Sequence, residues 1–208
     1  MRSTLAESVA AALRHAIFQG AYVCGERLVE LSLAHEMNVS QNTVRDALRL
    51  LEQDGLVMKH ARRGTFVRTY TPDEVREIYA LWATLESLAL RWALEAPAFA
   101  EQTYLAGLIA QFREHPVPEH RFRLHEAVLE LADKPRTSEL LRTIHNQARL
   151  LENLRPTREQ AAMLARYEPW LEAITARDQD RALGVLNSLL SAAGEDIVVL
   201  LEDNPFER

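Results

Sequence analysis

Apolar positions change their period twice between residues 28 and 67. Val44, Ala47, Leu48 and Leu51 recur at i, i+3, i+4 and i+7, which makes the single buried stripe of an amphipathic helix. Gln41, Asn42, Arg45 and Arg49 fall on its opposite side. Ser40 is placed to cap that helix, because its hydroxyl can accept a bond from a free amide of the first turn. Residues 32–37 predict a shorter helix before it, and Asn38 suits the left-handed turn between the two. Gly55 is placed to end the longer helix as a left-handed cap. Residues 56–60 and 65–69 then read as two strands joined by Ala61-Arg62-Arg63-Gly64, with a further short strand over 27–29. Helix, turn, helix and hairpin in this order predict a winged helix-turn-helix.

The remaining pattern is helical. Residues 4–18 form a first helix, opened by Thr4 with Glu7 three positions later as a capping box. Thr71-Pro72-Asp73-Glu74 is a second strong helix start, and it marks a domain boundary. Helices are expected over roughly 73–95, 99–114, 118–132, 137–154, 157–176 and 179–202. Pro97, Pro116, Pro118, Pro135, Pro156 and the Asp178 cap supply the breaks, and Pro169 is expected to kink the fifth helix. On the fourth, Leu140, Leu141, Ile144, Leu151 and Leu154 are read as core, and Arg142, Arg149 and Arg155 as surface groups. The fold class is mostly α: a winged helix-turn-helix over 1–70, then an all-α antiparallel helical bundle over 71–208.

Composition narrows the class. The chain has 208 residues, 48% apolar and 26% charged, which is the balance of an ordinary soluble globular protein. It has no uncharged apolar run of membrane-crossing length and no signal-peptide pattern, so a cytoplasmic location is expected. The single cysteine, Cys24, excludes an internal disulfide framework and a multi-cysteine zinc site, and reads as structural filler. Net charge is −6, which argues against nucleic acid until it is divided. Residues 1–71 carry nine basic and seven acidic side chains, whereas 72–208 carry fifteen and twenty-three. A mildly basic module on an acidic body fits a DNA reader carried by a second domain.

The outward residues of the amphipathic helix suit a major groove. Amides and guanidinia there can pair bidentately with adenine and guanine edges. Ser40, Gln41, Asn42, Thr43, Arg45 and Arg49 are the candidate reading residues, and Arg62, Arg63 and Gly64 form a turn able to grip phosphates or enter a minor groove. By itself the helix could equally be an ordinary one with a solvated polar face. The adjoining basic wing makes the DNA reading much more specific.

The stretch LRHAIFQGAYVCGERLVELSLAHEMNVSQNTVRDALRLLEQDGLV resembles the N-terminal domain of the GntR family of bacterial transcription regulators. Arg45, Gly55 and Gly64 fall in register with that family's motif. One departure matters: the family usually has Ser-Arg-Thr-Pro-Val-Arg where this chain has Ser40-Gln41-Asn42-Thr43-Val44-Arg45. Gln41 thus replaces an arginine commonly used against guanine, which implies a different operator, with adenine favoured opposite Gln41. The segments IYALWATLESLALRWALEA, FRLHEAVLEL and LEAITARDQDRAL are similar to the FCD effector domain of the FadR subfamily, and six helices suggest its VanR-like branch.

Many FCD domains hold a divalent metal through an Asp and a His four residues apart plus two later histidines. The resemblance aligns those positions with Arg121, His125, Tyr167 and Leu189, so one expected ligand of four is retained. A cation beside Arg121 is unfavourable, and no metal or other cofactor is expected. Arg121 and His125 with Tyr167, and also His145 and Trp82, could instead hold the carboxylate of a small organic acid. The alternative is that Arg121 has a structural acidic partner and His125 is a satisfied core histidine.

The expected function is that of a homodimeric, sequence-specific transcription regulator. It would repress from an inverted-repeat operator in double-stranded DNA and respond to a small carboxylate effector. A constitutive repressor whose helical domain only dimerises is the alternative. No nucleophile with a base at motif spacing and no phosphate loop is present, so catalysis is not expected, and neither is a membrane partner.

Overall fold

The computed structural model describes residues 4–96, 103–155 and 162–203. Local signals set the first elements. Thr4 caps α1 (Leu5–Phe18), with Glu7 N bonded to Thr4 Oγ1 at 3.2 Å and Thr4 N to Glu7 Oε2 at 2.7 Å. After β1 (Arg27–Leu28) comes α2 (Glu30–Glu36), which begins two residues earlier than its apolar pattern suggests. Glu30 accounts for the early start, because an acid in the first turn is favoured by the helix dipole. Asn38 makes the turn at φ 52°, and Ser40 caps α3 (Gln41–Gln53) by accepting from Thr43 N at 3.1 Å.

Gly55, at φ 74°, ends α3 and turns the chain into β2 (Val57–His60) and β3 (Gly64–Val67). The order β1-β3-β2 is antiparallel throughout, with Val57 opposite Val67, Lys59 opposite Thr65 and Arg27 opposite Phe66. Val44, Ala47, Leu48 and Leu51 of α3 are buried against α1, so the predicted stripe is the observed one. Cys24 packs half-buried on this core, and burial pushes its thiol up to about 12, which keeps it protonated.

Thr71 and Glu74 form the capping box of α4 (Pro72–Glu95). It is followed by α5 (Thr103–Glu114), α6 (Pro118–Ala132), α7 (Pro135–Glu152), α8 (Met163–Ala176) and α9 (Gln179–Asp203). Pro169 lies inside α8, and Asp178 caps α9 by accepting from Arg181 N at 3.1 Å. The expected breaks at Pro97 and Pro156 fall outside the described residues. The helix α4 is the spine of the bundle, packed against α9, α6 and α7. Gly194 of α9 permits a close approach to α4: a Cβ there would stand 2.9 Å from Tyr79. Over part of its length α9 matches a membrane-crossing helix in length and hydropathy, but here its apolar face packs on α4 and α8.

Two expectations for α7 are corrected. Leu140 is 59% exposed, because Leu141 one position on takes the core phase and a helix buries only one stripe. Arg149 and Arg155 are largely buried rather than superficial, with side chains 15% and 8% exposed. Their stems lie along apolar surface and their heads find acids: Arg149 Nη2 meets Glu126 at 3.1 Å and Arg155 Nη1 meets Asp196 at 3.2 Å. Both arginines sit where the bundle approaches the winged region. Arg149 lies over the Phe18 ring, and Asn153 Nδ2 donates to the Ile17 carbonyl at 2.7 Å.

Candidate functional site

On α3, Gln41, Asn42 and Arg49 are exposed and Arg45 is half-buried. Glu30, from the neighbouring α2, gathers two of them. Arg45 Nη2 and Nε reach its carboxylate at 2.8 and 3.3 Å, and Gln41 Nε2 donates to it at 3.2 Å. The hydrogen bond from Arg45 is the largest influence on Glu30 and lowers its pKa, so the carboxylate is charged. Arg45 Nη1 also donates to Asn42 Oδ1 at 3.1 Å, which makes Gln41, Asn42 and Arg45 one linked group. Arg49 is paired with Asp46 at 3.0 Å on the open surface, where such a pair contributes little and yields readily. Ser40 and Thr43 are occupied with the cap, their hydroxyls 2.8 Å apart.

Arg62 and Arg63 are exposed at the wing turn, and Arg62 sits at φ 63°. Gly64 has φ 106°, and a Cβ there would lie 3.2 Å from Arg27 Nε. Arg27 therefore stands beside the wing, exposed, as does Lys59 on β2. Neither was singled out from sequence, since only the β1-β3 pairing brings residue 27 next to residue 64.

In the helical bundle the five predicted effector residues divide into two groups. Arg121 and Tyr167 line a cavity of about 320 Å³ together with Glu152, Arg155, Arg166 and an apolar wall that includes Met163, Val185 and Leu189. His125, His145 and Trp82 stand behind it and converge on Glu86, which is fully buried. Glu86 Oε1 faces His125 Nδ1 at 2.5 Å, and the other imidazole nitrogen meets the Tyr167 hydroxyl at 3.0 Å. Trp82 Nε1 donates to Glu86 Oε2, and His145 Nε2 lies 3.5 Å from the same oxygen.

This network assigns its own protons. Burial is the largest influence on His125 and lowers its pKa, outweighing the pull of Glu86, so the ring is neutral. It then donates from Nδ1 to Glu86 and accepts from Tyr167. Burial acts to raise the Glu86 carboxyl, but His125, then His145, hold it below the usual carboxylate range. One buried charge is thus enclosed by donors, which is the condition for keeping it there.

Arg121 has an acidic partner, Glu152, at 3.2 Å, with both side chains almost wholly buried. Yet Nε and Nη2 of Arg121 make no aligned hydrogen bond among the described residues. The cavity is lined by three arginines and one carboxylate, an excess of positive charge, although Arg155 and Arg166 both reach Asp196. The residues do not fit a divalent metal: both His125 nitrogens are engaged, and Arg121, Tyr167 and Leu189 hold the other aligned positions. Among the described residues no three His, Cys, Asp or Glu side chains are arranged so that they could hold a metal ion.

Glu86 and Glu152 are the site residues that sequence reasoning missed. A signal was present, since each is an acid in phase with a buried stripe: Glu86 with Trp82, Ala89 and Leu90, and Glu152 with His145 and Ala148.

Two family models match the chain: bacterial regulatory proteins of the gntR family over residues 5–67, and the FCD domain over residues 77–192. The HTH-type transcriptional regulator YdhC of Bacillus subtilis is 38% identical over 93 residues, 45% of this chain and 42% of that protein. A regulator from the ttuE-ttuC' intergenic region of Agrobacterium vitis is 32% identical over 43% of this chain, and the match spans 54% of that relative. The chain thus spans about half the length of these two relatives. BphR of Paraburkholderia xenovorans is 27% identical over 88% of this chain and 81% of its own. Among solved structures, a GntR transcriptional regulator from Rhodococcus sp. RHA1 aligns at a TM-score of 0.80 with 27% identity, covering 93% of this chain and 97% of that one. E. coli McbR/YncC shares the fold, with a TM-score of 0.74 and 21% identity over 97% of this chain and 99% of that one. These are regulators and regulatory domains, not enzymes. The chain belongs to the GntR family of bacterial transcription regulators, with a DNA-binding winged helix-turn-helix followed by an FCD domain.

Proposed function

We propose that this regulator acts as a homodimeric repressor of the FadR subfamily's VanR-like branch, reading an inverted-repeat operator and released by a small organic anion. Residues 1–70 form the reading domain, and 71–208 the effector and dimerisation domain. Gln41, Asn42, Arg45 and Arg49 contact base edges, supported by Ser40 and Thr43, while Arg62 and Arg63 at the Gly64 turn contact phosphate or the minor groove. A dimer follows from information: one recognition helix reads only a few base pairs, and two related by symmetry multiply the discrimination. A protein that meets DNA in a bacterium works in the cytoplasm.

The observation that carries the effector reading is Arg121, buried in the cavity wall with two guanidinium nitrogens that no acceptor among the described residues aligns with. A carboxylate entering there gains a forked pair and the Tyr167 hydroxyl, with its apolar body against Met163, Val185 and Leu189. His125, His145 and Trp82 act through Tyr167 and Glu86 rather than by touching the ligand, and no metal takes part. A second reading is favoured by Glu152, which already supplies Arg121 with a counter-charge: the bundle would then bind no ligand and only dimerise.

Thermal-shift screening of the full chain with small carboxylic acids separates the two. A large specific stabilisation by one acid supports the sensor, and none across the panel supports the ligand-free dimeriser. Sequencing duplexes selected by the purified protein tests the operator, where recovery of direct repeats or lone half-sites would refute the inverted-repeat reading.

A further inference from the structure

The bundle meets the reading domain along α7. Arg149 lies over the Phe18 ring at 5.4 Å, and Asn153, which caps α7, donates from Nδ2 to the Ile17 carbonyl at 2.7 Å. Gln147 lies against the end of α3, where a Cβ on Gly55 would stand 2.8 Å from its Nε2. Arg14 ties the two contacted ends together, since its Nε donates to Asp54, the C-cap of α3, at 3.1 Å. A shift at the end of α7 is therefore felt by α1 and by the recognition helix.

The same end of α7 reaches the effector cavity. Glu152, its last residue, lines both the cavity of Arg121 and a second one of about 520 Å³, which Phe18, Gln19, Phe122 and Asn153 also line. One oxygen of its buried carboxylate, Oε1, serves two arginines: Arg121 Nη2 at 3.2 Å and Arg155 Nε at 3.3 Å. Arg155 is anchored on α9, to Asp196 at 3.2 Å and to the Ala193 carbonyl at 2.9 Å. Beyond Glu152 the backbone runs in tight turns, with the amides of Asn153, Leu154 and Arg155 each bonded three residues back. Such turns hold less firmly than α-helical ones, so this end can yield.

We propose that Glu152 is the positioning residue through which an anion in the cavity acts on the DNA-reading domain, by exchanging Arg121 for Arg155 and drawing Asn153 off the Ile17 carbonyl. The proposal rests on the organic-anion reading above and supplies its means of release. An anion forked onto Arg121 Nε and Nη2 stands beside Glu152 Oε1, which faces the same Nη2. Two carboxylates that close repel strongly away from water, and one edge of a guanidinium aligns with only one of them. Arg155 already donates to Oε1, so Glu152 keeps a counter-charge by turning to it. Asn153 is the next residue and moves with it, and Ile17 loses its bond. Anion and operator thus favour different arrangements of one joint, which is the condition for coupling between separate sites.

The test is hydrogen exchange by mass spectrometry on the full chain, with no ligand added. Glu152→Gln removes the charge that both arginines hold. The amides of Gly20 and Ala21, bonded to the Ile17 and Ala16 carbonyls, and that of Leu56, bonded to Leu51, are expected to exchange roughly tenfold faster, while α5 keeps its protection. Asn153→Ala leaves every charge in place and should open the same amides, and Glu152→Gln should add nothing further in that background. Each variant should also bind duplexes selected with the wild type roughly threefold or more weakly. Faster exchange confined to the bundle, an even rise along the whole chain, or effects of the two substitutions that multiply would overturn the coupling and leave the sensor reading standing. If the variants behave as expected but no small carboxylate stabilises the wild type, the sensor reading fails and takes the anion's part in this proposal with it.

Discussion

Glu30 of α2 holds Arg45 of α3 through two hydrogen bonds, Nη2 to Oε2 at 2.8 Å and Nε to Oε1 at 3.3 Å. The most specific candidate for base reading is therefore oriented, and partly neutralised, by a helix that precedes the recognition helix. Replacing Arg45 by alanine is expected to cost roughly 1–3 kcal/mol on the operator and little on random DNA. Glu30→Gln removes a negative charge from the reading face. It should tighten binding to every sequence and steepen the salt dependence by about one counterion. Fluorescence anisotropy with operator and random duplexes at several salt concentrations decides both; equal losses on the two duplexes for Arg45→Ala would refute the base contact.

The wing should behave differently. Arg63→Ala is expected to weaken operator and random DNA by similar factors and to flatten the salt dependence by about one, as the loss of a phosphate contact requires. Arg27→Ala, at the side of the same turn, should act in the same direction. A selective loss on the operator would instead place Arg63 on a base edge.

Breaking the Arg121–Glu152 pair leaves a cation buried without its nearest counter-charge. Glu152→Gln is expected to lower stability by about 3–5 kcal/mol, the usual cost of orphaning one partner of a buried pair. Small carboxylates at millimolar concentration should restore part of the melting temperature of this variant, because they supply what Glu152 no longer does. If the variant melts like wild type, Arg121 draws its compensation from elsewhere.

Acid should act through His125. Its folded pKa lies below the ordinary 6.5, so on acidification below about 6.5 the unfolded chain takes up a proton there before the folded chain does. Stability from this residue is present above that pH and lost as pH falls through the window beneath it, by up to about 1.4 kcal/mol per pH unit. Glu86 acts lower: its depressed pKa gives stability that is present above 4.5 and lost as pH falls toward about 2. Urea midpoints from pH 7.5 to 5.5 should fall more steeply for wild type than for His125→Asn, whose side chain keeps a donor for Glu86 and does not titrate. Identical slopes would show that the folded ring protonates as easily as the unfolded one.

Much of the reading domain was legible because its signals are local. A cap acts over three residues, so Thr4, Ser40 and Thr71 announce their helices by themselves. A left-handed turn needs one tolerant residue, and Asn38 and Gly55 occur where it forms. The stripe of α3 repeats at helical period, and the family resemblance of both halves agrees with the models matched over 5–67 and 77–192.

The site in the bundle was legible only in part. Arg121 and Tyr167 do line one cavity, but nothing in the spacing of the chain says that Glu86 takes His125, or that Glu152 takes Arg121. Those partners lie 39 and 31 residues apart in sequence, and they meet because α4, α6 and α7 pack side by side.

By itself, then, the sequence determined the described elements, their order and the buried stripe of α3, since capping, turn chemistry and apolar period act within a few residues. Tertiary structure decided which charges are paired and which are left facing a cavity or solvent. It set Leu140 outside, buried Arg149 and Arg155, and placed Arg27 beside Gly64. Burial and charge pairing depend on which surfaces come together, and residues far apart in the chain supply those surfaces.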